Sequence, residues 1–134
     1  MHQMFRWTAL LLLAPLACKS IADTPATVTA ARVIVTGSST VPLTVVTSTQ
    51  FVVSRGAEGE EIISLTSADT TQLAVPIDRT VAFQGSDRFL VLIRNPDINS
   101  TSTLDIRLLI DGKEVLRQAV SLRDASFHFT YFHN

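Results

Sequence analysis

From Val28 to the C-terminus, apolar and polar residues alternate in short runs rich in Val, Ile, Thr and Phe, with turn residues between them and no stretch of helical period. Period-2 alternation of β-branched and aromatic residues marks half-buried strands. The runs predict strands over 28–36, 43–54, 61–67, 72–75, 80–84, 89–94, 103–110, 113–122 and 126–132. Gly37-Ser38-Ser39, Gly56 to Gly59, Gly85-Ser86-Asp87 and the loop Asn95 to Ser100 punctuate them. About 7–9 short strands at this spacing predict an all-β fold, an immunoglobulin-like antiparallel β-sandwich, with a closed barrel as the second architecture.

The clearest local signal is Thr103 to Leu122, TLDIRLLIDGKEVLRQAVSL, two strands folded back at Asp111-Gly112. Asp-Gly between apolar runs suits a type I′ turn, whose central residues need positive φ. A two-residue turn would set Leu109 opposite Glu114, Leu108 opposite Val115, Ile106 opposite Arg117 and Leu104 opposite Ala119. Leu104, Ile106, Leu108, Val115 and Ala119 then face a core, and Asp105, Arg107, Glu114 and Gln118 face water. Arg117 breaks the pattern. Either its stem packs at the core's rim or a bulge near Leu116 re-aims the strand.

In the last strand Phe127, Phe129 and Tyr131 alternate with His128, Thr130 and Phe132, which places the first three on the core and Phe132 outside. Pro42 and Pro76 donate nothing to a ladder, so each should start a strand or lie on an edge.

The first residues follow another pattern. Residues 1–17 hold Arg6 and the apolar run TALLLLAPLA, and Cys18, the only cysteine, follows Ala17. This is a secretory signal, too short for a membrane span of about 20 apolar residues. Ser20-Ile21-Ala22 offers a second cleavage site, before Asp23. Leu16-Ala17-Cys18 resembles the lipobox of bacterial lipoproteins, although Pro15 stands where those usually carry Leu. The resemblance implies cleavage before Cys18 and acylation of its sulfur, and several acyl chains hold a membrane far more firmly than one. Residues 18–27 then form a short tether and 28–134 one domain. Lys19 and Ser20 after the cysteine favour the outer membrane facing the periplasm, and cleavage before Asp23 would give a secreted protein.

Charge narrows the partners. Cleavage before Cys18 removes one of the eleven basic residues and none of the twelve acidic ones. A slightly acidic domain without a basic cluster is not built for nucleic acid. One cysteine also excludes a disulfide within the chain.

Three segments resemble the small extracytoplasmic β-sandwich of the mycobacterial MmpS proteins and related lipoproteins. They are Val33-Ile34-Val35-Thr36-Gly37, Leu73-Ala74-Val75-Pro76-Ile77, and Ile110-Asp111-Gly112-Lys113 with Val115. The resemblance implies a membrane-anchored accessory of an envelope export complex. The chain departs from that branch in its cleavable leader and in lacking an aromatic after Pro76.

Candidate chemistry is sparse. His128 and His133 stand in the last seven residues, without a cysteine or third histidine to complete a metal set. His128 is expected on the strand's solvent side and His133 at a frayed end. Glu58, Glu60 and Glu61 flank Gly59 in an expected loop without the alternating oxygen ligands of a calcium site. Asp97 and Asn99 sit in a loop, and Asn99-Ser100-Thr101 fits a glycosylation acceptor that a bacterial lipoprotein would leave unused. No nucleophile elbow or phosphate loop occurs. The expectation is a non-enzymatic envelope lipoprotein, without cofactor or metal, whose sandwich binds or supports a partner; a His128-based hydrolase is the competing class.

Overall fold

The computed structural model describes residues 27–134; the predicted leader at 1–17, Cys18 and the tether up to residue 26 lie outside the described residues. Eight strands follow: β1 (Ala30–Ser38), β2 (Leu43–Arg55), β3 (Glu61–Leu73), β4 (Ile77–Ala82), β5 (Arg88–Asn95), β6 (Ser102–Ile110), β7 (Lys113–Leu122) and β8 (Ala125–Phe132). They form two antiparallel four-stranded sheets, ordered β4-β1-β6-β7 and β3-β2-β5-β8. The β2–β3 and β6–β7 connections stay within a sheet, and the others cross between sheets. Between the sheets Val33, Val35, Leu43, Val45, Phe83, Phe89, Val91, Ile93, Leu104, Ile106 and Leu108 are buried. This is the sandwich that the alternation predicts.

The β6–β7 turn has Asp111 at φ 48° and Gly112 at φ 81°, as a type I′ turn requires. Leu109 faces Glu114 as expected, but beyond them the register moves by one. Leu108 pairs with Leu116, Ile106 with Gln118 and Leu104 with Val120. A bulge at Val115 absorbs the extra residue, so Arg117 turns to the solvent face and reaches Asp105 at 3.1 Å. The same shift exposes Ala119 and packs Val120 on the core, reversing the expected assignment.

Two boundaries also differ. The expected strands 61–67 and 72–75 are one strand, β3, because β2 pairs with the small polar stretch between them. β4 runs over Ile77–Ala82 in place of 80–84, since Ile77 and Val81 supply its inward alternation, and Gln84 and Gly85 turn with positive φ. Pro42 immediately precedes β2 and Pro76 precedes the edge strand β4.

Gly37 lies inside β1, opposite Leu104, where a turn is expected. With φ at 122°, a Cβ here would stand 2.1 Å from the Thr103 carbonyl oxygen, so only glycine permits this approach. At the same sheet's other end the Asp111 carboxylate accepts from the Thr29 hydroxyl at 2.6 Å and from the Ala30 N–H at 2.9 Å. These bonds hold its pKa below the ordinary aspartate value, the Thr29 hydroxyl contributing most. They also fix where the chain enters the sandwich.

Candidate functional site

The second sheet carries the site, and β2 is the strand that makes it. β2 pairs with β5 only from Thr44 to Ser48, and its register with β3 breaks between Thr47 and Phe51. At the break the Ser48 hydroxyl donates to the Ser67 carbonyl and accepts from the Gln50 N–H at 3.0 Å, so the bend is held by hydrogen bonds on both strands. Beyond it, residues 51–55 and 61–65 continue as a two-stranded arm that turns across the outer face of β5 and β8. The Phe51 ring packs 5.8 Å from Phe132 of β8. Arg88 lies 5.6 Å over the Phe132 ring and donates to the Phe51 carbonyl at 3.2 Å. Leu90 points outward from β5, away from the core, and yet only 2% of it is exposed.

Between arm and sheet runs an apolar groove of about 280 Å³, lined by Val46, Ile63, Leu65, Leu90 and Leu92, with Glu61 and His128 as its charged or titratable lining. The arm is apolar on its far side as well: Val52 is 55% exposed and Ile62 43%, and Leu65 at the groove is 47% exposed. Contiguous exposed apolar side chains of this kind mark contact surfaces. Aliphatic walls with two polar groups suit an aliphatic chain or an apolar side chain, held by area and oriented by the polar pair.

Three of the features singled out in the sequence converge here. His128 lines the groove, Glu61 lies across it on the arm, and Phe132 anchors the arm through Phe51. The other acidic residues serve the arm's turn. The Glu60 carboxylate accepts from the Glu58 N–H at 3.0 Å, and the Gly56 N–H donates to the Glu60 carbonyl at 2.8 Å. His133, expected at a frayed end, is tied down: its N–H donates to the Asp87 carbonyl at 2.7 Å. It borders a separate cavity of about 370 Å³ beside Thr27 to Thr29. Among the described residues, no three His, Cys, Asp or Glu side chains gather closely enough to hold a metal ion.

The Asn95 to Ser100 loop is organised from within. Fully buried Asn95 donates to the Ser100 and Leu122 carbonyls at 3.0 and 2.9 Å and accepts from the Asp97 N–H. Asp97 in turn accepts from the Asn99 N–H and the Ser100 hydroxyl, which hold its pKa below the ordinary value. Its carboxylate is thereby committed to the loop.

A second cleft, of about 380 Å³, opens between the sheets at the β3/β4 side and is lined by polar groups including Thr47, Ser48, Gln50 and Gln84. Arg79 crosses it from β4 to Asp69 and Thr71 of β3, closing that side of the sandwich. The groove residues Ile63, Leu90 and Leu92, and Phe51 at the arm's anchor, are not among the sequence candidates. For Leu90 and Leu92 the signal is the unbroken apolar run Phe89-Leu90-Val91-Leu92-Ile93, since a strand apolar at every position is covered on both faces.

Comparison with known proteins adds no relative: no family model, no curated protein and no solved structure matches this chain.

Proposed function

We propose that the chain is a membrane-anchored cell-envelope lipoprotein whose sandwich is a non-catalytic binding module, with the groove beneath the β2–β3 arm as its contact site. The observation that carries the binding role is the apolar outer face of the β3-β2-β5-β8 sheet, covered in part by the arm and open along Val46, Leu65 and Leu92. The anchor is supported by Cys18, the chain's only cysteine, at the end of the leader's apolar run. Acylation there would hold the domain through the tether, leaving the groove available to an apolar group in the envelope.

The anchor is tested by the intact mass of protein recovered from bacterial membranes beside a Cys18→Ser version. A mass beginning at Cys18 with added acyl chains supports the reading. A mass beginning at Asp23 without lipid would instead make this a secreted domain. The groove is tested by titrating decanoate into isotope-labelled Cys18→Ser protein. Shifts confined to Val46, Ile63, Leu65 and Leu92 support it, and shifts elsewhere or none would remove it.

The order of the three MmpS-like segments favours a second reading, an accessory subunit of an export complex. Co-purification of a large transporter in mild detergent would support it, and a clean monomer would count against it.

A further inference from the structure

The four sheet edges are not protected alike. β3 carries Glu61 and Asp69 and pairs with β2 across its bulge; β4 is short, follows Pro76 and carries Asp78 and Arg79. β7 is bulged at Val115 and carries Lys113, Glu114 and Arg117. Bulges, proline and charge are the usual means by which an edge refuses another strand. β8 has none of them. It pairs with β5 through eight successive residues without a break, from Arg88↔Phe132 to Asn95↔Ala125. Its sequence, Ala-Ser-Phe-His-Phe-Thr-Tyr-Phe, holds no Asp, Glu, Lys, Arg or Pro. Among the described residues no strand lies beyond it, so alternate backbone N–H and C=O groups face outward along its length.

The side chains along this edge are incompletely covered. Phe127, Phe129 and Tyr131 of β8 are only partly buried, as are Leu116 and Val120 of β7, the edge strand stacked above. The opposite side of the sandwich is closed by Arg79 reaching Asp69 and Thr71, whereas this side is an aromatic seam.

We infer that the β8 edge is the interface for a second copy of this chain, joined antiparallel about a two-fold axis at Phe129 to make one continuous eight-stranded sheet. The pattern of β8 is the same in either direction about that residue from Phe127 to Tyr131, and Ser126 meets Phe132 beyond it. Phe129 meets its own counterpart and Phe127 meets Tyr131 on the core side, while His128 meets Thr130 on the outer side. An arbitrary partner strand lacks this self-matching, and cross-strand aromatic pairs are among the stabilising ones in sheets. A two-fold pairing also satisfies both β8 edges at once, and the sheet then ends at the charged β3 of each copy.

The test exploits His128 and Thr130, which lie on the outer face and would sit opposite each other across the axis. Sedimentation of the exported Cys18→Ser chain should show a monomer–dimer equilibrium. His128→Lys/Thr130→Lys and His128→Glu/Thr130→Glu should each sediment as monomers, and their equimolar mixture should regain the dimer mass. A Cys18→Ser chain, otherwise unaltered, that stays monomeric to its solubility limit would overturn the inference. So would a lysine variant that is folded by circular dichroism and still dimeric, because that places the contact elsewhere. Should either variant fail to fold, hydrogen exchange of the Cys18→Ser chain without further changes decides. Protection of alternate β8 amides that rises with protein concentration supports the interface, and protection independent of concentration refutes it.

Discussion

The outer faces of the two sheets solve the same problem differently. On the β4-β1-β6-β7 sheet, most outward residues are polar and several are joined across strands, Arg32 to Asp78, Arg107 to Glu114 and Arg117 to Asp105, with Ile34 and Leu109 half-buried among them. That face needs no cover. On the β3-β2-β5-β8 sheet the outward residues Val46, Leu90 and Leu92 are aliphatic, and the β2–β3 arm folds over them. Both faces belong to antiparallel sheets of four strands, so the contrast lies largely in β5, whose middle outward positions, Leu90 and Leu92, are aliphatic between Arg88 and Arg94 at its ends. Covering those side chains is stabilising, and the part left open, the groove along Val46, Leu65 and Leu92, is where the proposed binding role is placed.

The contrast breaks first at the arm. Phe51→Ala removes the buried ring that packs on Phe132, and we expect a loss of about 3 kcal/mol in chemical denaturation. Leu90→Ala should cost about 2–3 kcal/mol, as a core leucine would, although it points away from the core. Leu109→Ala, at a half-buried outward position of the polar face, should cost clearly less. Equal losses at Leu90 and Leu109 would mean that the arm does not cover its sheet.

Smaller effects belong to the polar face. Arg107 and Glu114 are each more than a third exposed, so a double-mutant cycle on the pair should give about 0.5 kcal/mol or less. Added salt should weaken that coupling further. The Asp111 clamp contributes through pH. Its folded pKa lies below the unfolded value, so its stabilisation is present above the ordinary aspartate range and is lost as pH falls through the folded value. The melting temperature should therefore fall on acidification below about pH 4, and Asp111→Asn should flatten part of that fall. An unchanged acid profile in the variant would assign the loss to other carboxylates such as Asp97 and Asp78, whose pKa values are lowered too.

Much of this architecture is legible in the chain. Asp111-Gly112 marks its turn, Pro76 its edge strand, and the Phe127-Phe129-Tyr131 alternation the inward side of β8. The parts that are not legible have physical causes. Arg117 points to a bulge near Leu116 as one of two readings, and the bulge is found at Val115, but the exchange of Ala119 for Val120 on the core follows only once that reading is chosen over the other. The middle of β3, Ala68 to Thr71, reads as a gap between two strands because it is small, polar and largely solvated, and what holds it, pairing with β2 and Arg79 reaching over from β4, is distant in sequence. The groove depends on a bend at Ser48 to Gln50 that brings Ile63 over Leu92, and no local pattern encodes where a hairpin's far end comes to rest. His128 and Glu61 are conspicuous in the sequence as isolated groups, and only the bend gives them a shared setting.

The most direct test of the covered face is a methyl and aromatic NOE measurement on the labelled Cys18→Ser protein in solution. Contacts from the Phe51 ring to Phe132, and from Ile63 or Leu65 to Leu90 or Leu92, are the predicted result. Leu90 methyls that lack arm contacts and are broadened by a soluble paramagnetic probe would contradict it, and with it the groove as the site of binding.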